Sequence, residues 1–293
     1  MDLNGLLVAE GFDPRTIIVM RHSPFEKRLN RVLPWLAAER HDLFNAYQQT
    51  QRPKPEKAML GASHVASFIG NAPGRALFVG LYAIGETTPL DYGAYWSVPA
   101  LAELREFGYG GFTPEDAAAR GTVLWFDLQP TDFLAAWKGR LIVAFPPPER
   151  AWWRRAHTRP MPVHAILEDS ALEAALPVWS DIDLAWSELS VLPSRWRDAL
   201  AQWRGIYLIF DASDGRSYVG SAGGADNLLG RWRNYAASGH GGNRLLRDRD
   251  PRNFRFTILQ RVSPDMGGED IVELEASWKR RLHSGRPFGL NDN

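Results

Sequence analysis

The chain has 293 residues, 45% hydrophobic and 23% charged, so it is long enough for two domains with apolar cores, and its composition argues against extensive disorder. It has no cysteine, which excludes disulfides and thiolate metal sites and suits a reducing compartment. Its 34 basic and 34 acidic residues balance, and no run approaches the roughly 20 apolar residues of a membrane span. Because the N-terminal segment also lacks a basic leader, we expect a cytoplasmic protein.

Short strands and helices alternate through the first 195 residues. The apolar patterns predict a strand over 15–22, a helix over 25–51 that is interrupted at Pro34, and a proline-bearing linker over 52–57. Further along the chain the patterns predict strands over 64–70 and 75–86, a helix over 98–108, and strands over 122–128, 139–148 and 161–168. This succession favours a β-rich α+β domain, and a barrel of the PUA-like kind is an alternative by analogy of shape.

The last third of the chain has a sharper pattern. Residues 170–194 are acidic and mixed, which is typical of a connector, and a β-hairpin is then predicted over 204–223 around a polar centre. A helix follows, with Asp226 or Asn227 as its N-cap and Gly239 as its stop, then a strand over 254–262. With a closing helix, these elements predict a small α/β domain in which helices flank a three-stranded antiparallel sheet.

The closing helix presents one apolar side. Its apolar residues are spaced three, four and four apart: Ile271, Leu274, Trp278 and Leu282. At 100° per residue, Glu275 lies about 40° from Ile271, whereas Glu273 lies near about 200°, on the opposite side. We therefore expect Glu275 to reach a site on this domain and Glu273 to lie in water.

The hairpin carries a recognisable pair of triplets. Gly205-Ile206-Tyr207, ten further residues and Tyr218-Val219-Gly220 together resemble the signature of the GIY-YIG nuclease superfamily. Four later residues match that family in order and type: Arg231, Tyr235, Glu275 and Asn291. The resemblance covers about 95 residues, from roughly 200 to the end. Two departures are the valine in the second triplet and the long spacing from Glu275 to Asn291, which leaves Asn293 as an alternative.

The resemblance implies a division of chemical labour. It makes Tyr207 the favoured general base, with Tyr218 and Tyr235 orienting water or phosphate. Arg231 offers a permanently charged planar fork for phosphate oxygens. A lone carboxylate such as Glu275 suits Mg²⁺ (or Mn²⁺), because Mg²⁺ keeps most of its waters and borrows ligands from a substrate phosphate.

Each of these residues also has a purely structural interpretation. A tyrosine in a strand usually packs, an arginine on a helix often forms a surface salt bridge, and an asparagine near a terminus often forms a turn. His240, in a glycine-rich loop, is a candidate contact for phosphate or a leaving group, although such a histidine is more often solvated. From Arg195 onward there are 16 basic and 12 acidic residues, and 15 of the 16 basic residues are Arg. This excess of arginine favours binding of phosphate groups, and the codon bias of a GC-rich genome is the alternative explanation.

The N-terminal part shows no catalytic motif but many aromatic residues. Ten of the twelve Trp precede Gly205, and Tyr92, Tyr95 and Trp96 lie close together in the chain. Tyr95 and Trp96 are candidates for a pocket that stacks on a nucleic-acid base, and an aromatic-rich core is the alternative.

We therefore predict two domains: a substrate-recognition domain over residues 1–195 and a nuclease domain over 196–293. The leading function is a divalent-metal-dependent DNA endonuclease, of the restriction or defence type, that acts on double-stranded DNA. The alternatives are a repair or structure-selective nuclease and an inactive nucleic-acid-binding regulator. The sequence leaves open whether the chain forms a homodimer and whether it acts on DNA or RNA.

Overall fold

The chain folds as two compact units. The computed structural model describes residues 1–147, 151–173, 175–224 and 227–292. By their internal contacts the units span residues 1–174 and 175–293, so that residues 175–195, which precede the predicted boundary, pack with the second unit. None of the helices in the described parts of the chain has the length and apolar content that crossing a membrane requires.

In the residues that the structure describes, the first unit is built on a mixed sheet of seven strands. Its strands are β1 (Ile17–His22), β2 (His64–Ala72), β3 (Arg75–Leu90), β4 (Val123–Pro130), β5 (Leu141–Ala144), β6 (Trp153–Arg155) and β7 (Val163–Ile166). The order is β6-β1-β2-β3-β5-β7, with β4 paired to the far end of β3. β1 and β2 run parallel, and the other pairings among the described strands are antiparallel. As this order has two ends among the described residues, the sheet is curled but open, and the alternative of a PUA-like barrel is not shown.

Seven helices accompany this sheet in the described residues of the first unit. They are α1 (Leu3–Ala9), α2 (Lys27–Glu39), α3 (His41–Gln48), α4 (Pro53–Met59), α5 (Tyr92–Trp96), α6 (Pro99–Leu104) and α7 (Pro114–Arg120). Two predictions are wrong here. The helical segment breaks at Arg40 rather than at Pro34, because buried Leu33 and Leu36 hold α2 in place across the proline. The predicted linker forms α4, whose first residue, Pro53, needs no hydrogen-bond donor there.

In its described residues the second unit contains an antiparallel sheet of four strands, not the predicted three. Its elements are β8 (Asp183–Ala185), α8 (Ser194–Gln202), β9 (Arg204–Asp211), β10 (Ser217–Ala222), α9 (Asn227–Ser238), β11 (Phe254–Val262) and α10 (Gly268–Arg281). The additional strand, β8, pairs with β11 and comes from the segment interpreted as a connector. Ile182, Leu184 and Leu189 of that segment are buried in the core of this unit.

The sheet of the second unit is covered on both faces. Tyr207 of β9 contacts Tyr235 of α9, whereas its neighbour Ile206 packs against Ile271 of α10 on the opposite face. In the strand order β10-β9-β11-β8, β10 is an edge strand, so the two helices approach this edge from opposite sides. The apolar side of α10 is shorter than predicted: Leu282 lies just beyond the helix and is 39% exposed.

Candidate active site

Three tyrosines from different elements form one cluster. Tyr207 of β9, Tyr218 of β10 and Tyr235 of α9 have ring centroids 6.1–6.4 Å apart in all three pairs. The hydroxyl groups of Tyr207 and Tyr235 are 3.2 Å apart and share a hydrogen bond. Both of these residues are buried, whereas Tyr218 is half-buried at the edge of the sheet. The fold thus brings together all three predicted tyrosines.

The glycines of the two triplets have a steric cause. A Cβ atom at Gly220 would lie 2.5 Å from the hydroxyl oxygen of Tyr207, because the tyrosine ring crosses the strand at this point. A Cβ atom at Gly205 would lie 2.3 Å from the carbonyl oxygen of Gln260, where β11 has an irregularity in its register with β9. The glycines therefore allow the ring and the neighbouring strand to approach this closely.

Arg231 lies one helical turn before Tyr235, beside the tyrosine cluster. Its Nε–H is buried and finds no acceptor among the described residues. The neighbouring Tyr207 favours the charged guanidinium and raises the pKa of Arg231, against the opposing effect of burial. Arg231 is thus a charged group whose hydrogen-bonding capacity is only partly used within the protein, as expected of a group that binds an anion.

Burial controls the ionisation of the tyrosines. It raises the pKa of Tyr207 to about 12; the neighbouring Tyr218 adds to the rise, and Arg231 opposes it. Burial also holds the pKa of Tyr235 well above its usual range. Both hydroxyls are therefore protonated in the free protein near neutral pH.

Glu275 approaches the same edge of the sheet from α10. Its Oε2 accepts a hydrogen bond from the hydroxyl of Ser221 on β10, and its Oε1 lies 2.8 Å from the Nζ of Lys279. The side chain of Glu275 is only 18% exposed, whereas Glu273 is exposed, as the helical phasing predicts.

An open cleft of about 640 Å³ lies along the edge strand β10. Its lining residues are Tyr218, Arg231, Gly241, Gly242, Asn243, Arg244, Glu275, Lys279, Asn291 and Asp292. Arg231 and Glu275, which belong to helices on opposite faces of the sheet, therefore meet in one cavity. Tyr207 and Tyr235 are buried and are not among the lining residues.

Asn291 attaches the C-terminal tail to β10. Its side-chain amide makes two hydrogen bonds with the backbone of Val219, one as acceptor and one as donor. These contacts give Asn291 a positioning role beside the tyrosine cluster. The alternative Asn293 and the N-cap candidate Asp226 lie outside the described residues; α9 begins at Asn227.

His240 lies on the loop after α9, next to residues that line the cleft. Its Nδ1 accepts a hydrogen bond from the backbone N–H of Gly242 at 3.0 Å. This contact leaves Nε2 as the nitrogen that can donate outward. His240 itself is half-buried and is not among the lining residues of the cleft.

Five residues of this region escaped the sequence analysis: Ser221, Asn243, Arg244, Lys279 and Asp292. Lys279 follows Glu275 by four positions on a helix, a spacing that signals an ion pair. Arg244 pairs with Asp292 across the cleft lining at 3.3 Å. That pair joins the loop after α9 to the C-terminal tail, so no local sequence pattern predicts it.

The donor set of the cleft fits a magnesium-type ion. Within the described residues, no group of three or more His, Asp or Glu side chains could hold a metal by itself. A half-buried carboxylate, Glu275, beside a cleft open to solvent suits Mg²⁺ or Mn²⁺, since such ions retain water and share ligands with a phosphate. It does not suit zinc, which needs several protein ligands.

The aromatic candidates of the first unit are placed differently from each other. Tyr95 is fully buried, and its hydroxyl donates to that of Tyr109 at 3.1 Å, which favours a packing role. Trp96 is half-buried; its indole N–H donates to the carbonyl of Phe112, and the guanidinium of Arg105 lies 4.3 Å from its ring centroid.

Comparison with known proteins gives a partial match. No family model and no curated protein matches the chain. Among solved structures, the match is to the catalytic domain of the intron endonuclease I-TevI in a mutant form, and to that of the homing endonuclease I-TevI. Each is 23% identical with a TM-score of 0.26, covering 31% of this chain and 94% and 98% of the respective solved chain. Because this TM-score is low, the functional assignment depends on the residues of the cleft.

Proposed function

We propose that the protein is a divalent-metal-dependent endonuclease that hydrolyses phosphodiester bonds in DNA. The observation that carries this proposal is the cleft at the edge strand β10, where Arg231 and Glu275 meet beside Tyr218. A positive fork, a carboxylate and a hydroxyl in one open cavity are the groups that phosphodiester cleavage requires. Their residue types and order match the GIY-YIG pattern read from the sequence.

Arg231 would bind the phosphate that is cut. Its guanidinium lines the cleft, stays charged at every relevant pH, and has a buried Nε–H without an acceptor among the described residues. Two parallel hydrogen bonds from such a group orient a phosphate and stabilise the charge that develops on its oxygens.

Glu275 would hold Mg²⁺ or Mn²⁺. Its carboxylate lines the cleft, and Ser221 fixes the orientation of one oxygen. When bound, the ion supplies positive charge for the leaving oxygen and a water of lowered pKa. No further acidic ligand is required if the remaining positions are filled by water and phosphate.

One of the tyrosines would act as the general base that accepts a proton from the attacking water. The family resemblance assigns the general base to Tyr207, whose hydroxyl is hydrogen-bonded to that of Tyr235. Tyr218, however, is the tyrosine that lines the cleft. We place Tyr207 as the base and Tyr218 as the group that orients water or phosphate. The opposite assignment predicts a different pH dependence of cleavage for Tyr207→Phe and Tyr218→Phe, so the two assignments can be distinguished.

The first unit would choose the substrate. Phosphate contacts alone carry little sequence information, so an enzyme with only the cleft would discriminate poorly. The half-buried Trp96, stacked against Arg105, is the candidate in this unit for contact with a base. With such a selecting unit, the protein would serve as a restriction or defence nuclease in the cytoplasm.

Incubation with supercoiled plasmid tests this proposal. The purified protein should convert modified or unmodified plasmid to nicked or linear forms in the presence of Mg²⁺ or Mn²⁺, and a chelator should stop the reaction. Glu275→Gln protein, purified in the same way, controls for a contaminating nuclease. Cleavage of RNA but not DNA would show that the substrate is RNA. Cleavage by Glu275→Gln protein equal to that by the wild type would refute the proposal.

A further inference from the structure

Both oxygens of the Glu275 carboxylate already have partners in the protein. Ser221 donates to Oε2, and the ammonium of Lys279 lies 2.8 Å from Oε1. The two side chains of the ion pair are only 18% and 16% exposed, and both line the cleft. The pair is thus unlike an ordinary ion pair on the outer side of a helix, which is exposed to solvent.

The two partners of Glu275 differ in how they respond to an added cation. The hydroxyl of Ser221 is neutral, so it can keep its hydrogen bond to Oε2 when a cation binds. The ammonium of Lys279 is itself a cation at Oε1, and it repels a second one at that distance. A divalent ion that takes Oε1 must therefore displace Lys279.

We propose that Lys279 is an internal counter-ion of Glu275 that the divalent metal displaces, and that the released ammonium then contacts a phosphate of the nucleic acid. This inference rests on the proposed function, since it requires metal at Glu275. Lys279 lines the same cleft as Arg231, so its ammonium lies beside a phosphate bound there once the metal takes Oε1. Metal and nucleic acid should consequently strengthen each other's binding.

Isothermal titration calorimetry of the full chain with Mn²⁺ tests whether the metal displaces Lys279, without relying on cleavage. Lys279→Met should bind Mn²⁺ about three- to tenfold more tightly than wild type, because the competing charge is gone. Lys279→Arg, which keeps the charge, should stay near the wild-type affinity. The matched control is Arg280→Met, which removes the same charge from the next, exposed position and should change the affinity less than about twofold.

A second titration, in the presence of a short phosphorothioate DNA duplex that resists cleavage, tests the coupling. The duplex should tighten Mn²⁺ binding to wild type, and Lys279→Met should lose most of this gain. Circular dichroism verifies that each variant keeps its fold.

Two outcomes separate this inference from the proposed function. If Glu275→Gln abolishes Mn²⁺ binding but Lys279→Met binds Mn²⁺ as wild type does, the counter-ion role of Lys279 is overturned and the metal site stands. If Glu275→Gln binds Mn²⁺ with the wild-type affinity, both the metal site and the inference are overturned.

Discussion

The side-chain amide of Asn291 extends the hydrogen bonding of the sheet edge by pairing with the backbone of Val219. The N–H of Val219 donates to Oδ1 at 2.9 Å, and Nδ2 donates to the carbonyl of Val219 at 2.8 Å. Val219 lies between Tyr218 and Gly220, so this contact fixes the part of β10 that holds the tyrosine cluster. Asn291 therefore affects the site through the position of β10.

Replacing Asn291 by aspartate should destabilise the second unit. The carboxylate keeps the acceptor for the N–H of Val219 but places an oxygen against the carbonyl of Val219 in a site that is 1% exposed. A buried polar group left without its partner costs about 1–3 kcal/mol of unfolding free energy. Urea unfolding measures the change, and Asn234→Asp, the same exchange at an exposed position of α9, is the control. Equal unfolding curves for both variants would contradict the positioning role.

Replacing Arg231 by lysine should remove most of the cleavage activity although the charge is kept. An ammonium cannot make the two parallel hydrogen bonds of a guanidinium, and loss of an oriented donor costs on the order of 10²–10³ in rate. Single-turnover cleavage of a DNA duplex measures the effect. Arg233→Lys, at an exposed position two residues later, should cut at the wild-type rate. If both variants behave alike, Arg231 has only a surface role.

The pH dependence of cleavage distinguishes Tyr207 from Tyr218. A general base acts in its deprotonated form, and the pKa of Tyr207 in the free protein is raised to about 12. If Tyr207 is the base, log(kcat/KM) should rise with a slope of about one between about pH 6 and pH 9, without a plateau. Tyr207→Phe should then abolish this rise, whereas Tyr218→Phe should lower the rate and keep the slope. The reverse pattern would assign the base to Tyr218.

The start of the second unit can be located by truncation. A fragment of residues 175–293 keeps β8 and the buried side chains of Ile182, Leu184 and Leu189. Burying such a side chain stabilises a fold by about 1.5–3 kcal/mol. We expect this fragment to give a cooperative thermal transition and to cut DNA with little sequence discrimination, and a fragment of 192–293 to melt at a lower temperature or not to fold. Equal melting temperatures would show that β8 contributes little.

The predictions from sequence succeeded where a local pattern decides the structure. The polar centre of the hairpin and the apolar spacing along α10 are local patterns, and the hairpin and the phases of Glu275 and Glu273 are confirmed. The sequence patterns did not predict elements whose structure depends on tertiary contacts. β8 has three residues, too few to show an alternation, and it is a strand because β11 pairs with it.

The cleft itself is also a tertiary feature. It exists because β10 is the edge of the sheet and helices on opposite faces meet there, which no spacing in the chain encodes. The contact between Asn291 and Val219 joins positions 72 apart, and the pair of Arg244 with Asp292 joins a loop to the tail. The order of residue types pointed to Tyr218, Arg231, Glu275 and Asn291, which line the cleft, but it did not point to Lys279 or to the contact of Asn291 with Val219.

The metal-binding role of Glu275 is tested by the cleavage rate of Glu275→Gln beside that of Glu273→Gln, measured with Mg²⁺ on one DNA duplex under single-turnover conditions. The two substitutions remove the same charge from one helix, but only Glu275 lines the cleft. A metal-dependent nuclease predicts a loss on the order of 10³-fold for Glu275→Gln and less than about twofold for Glu273→Gln. Equal rates for the two variants, or cleavage by Glu275→Gln at the wild-type rate, would show that Glu275 holds no catalytic metal.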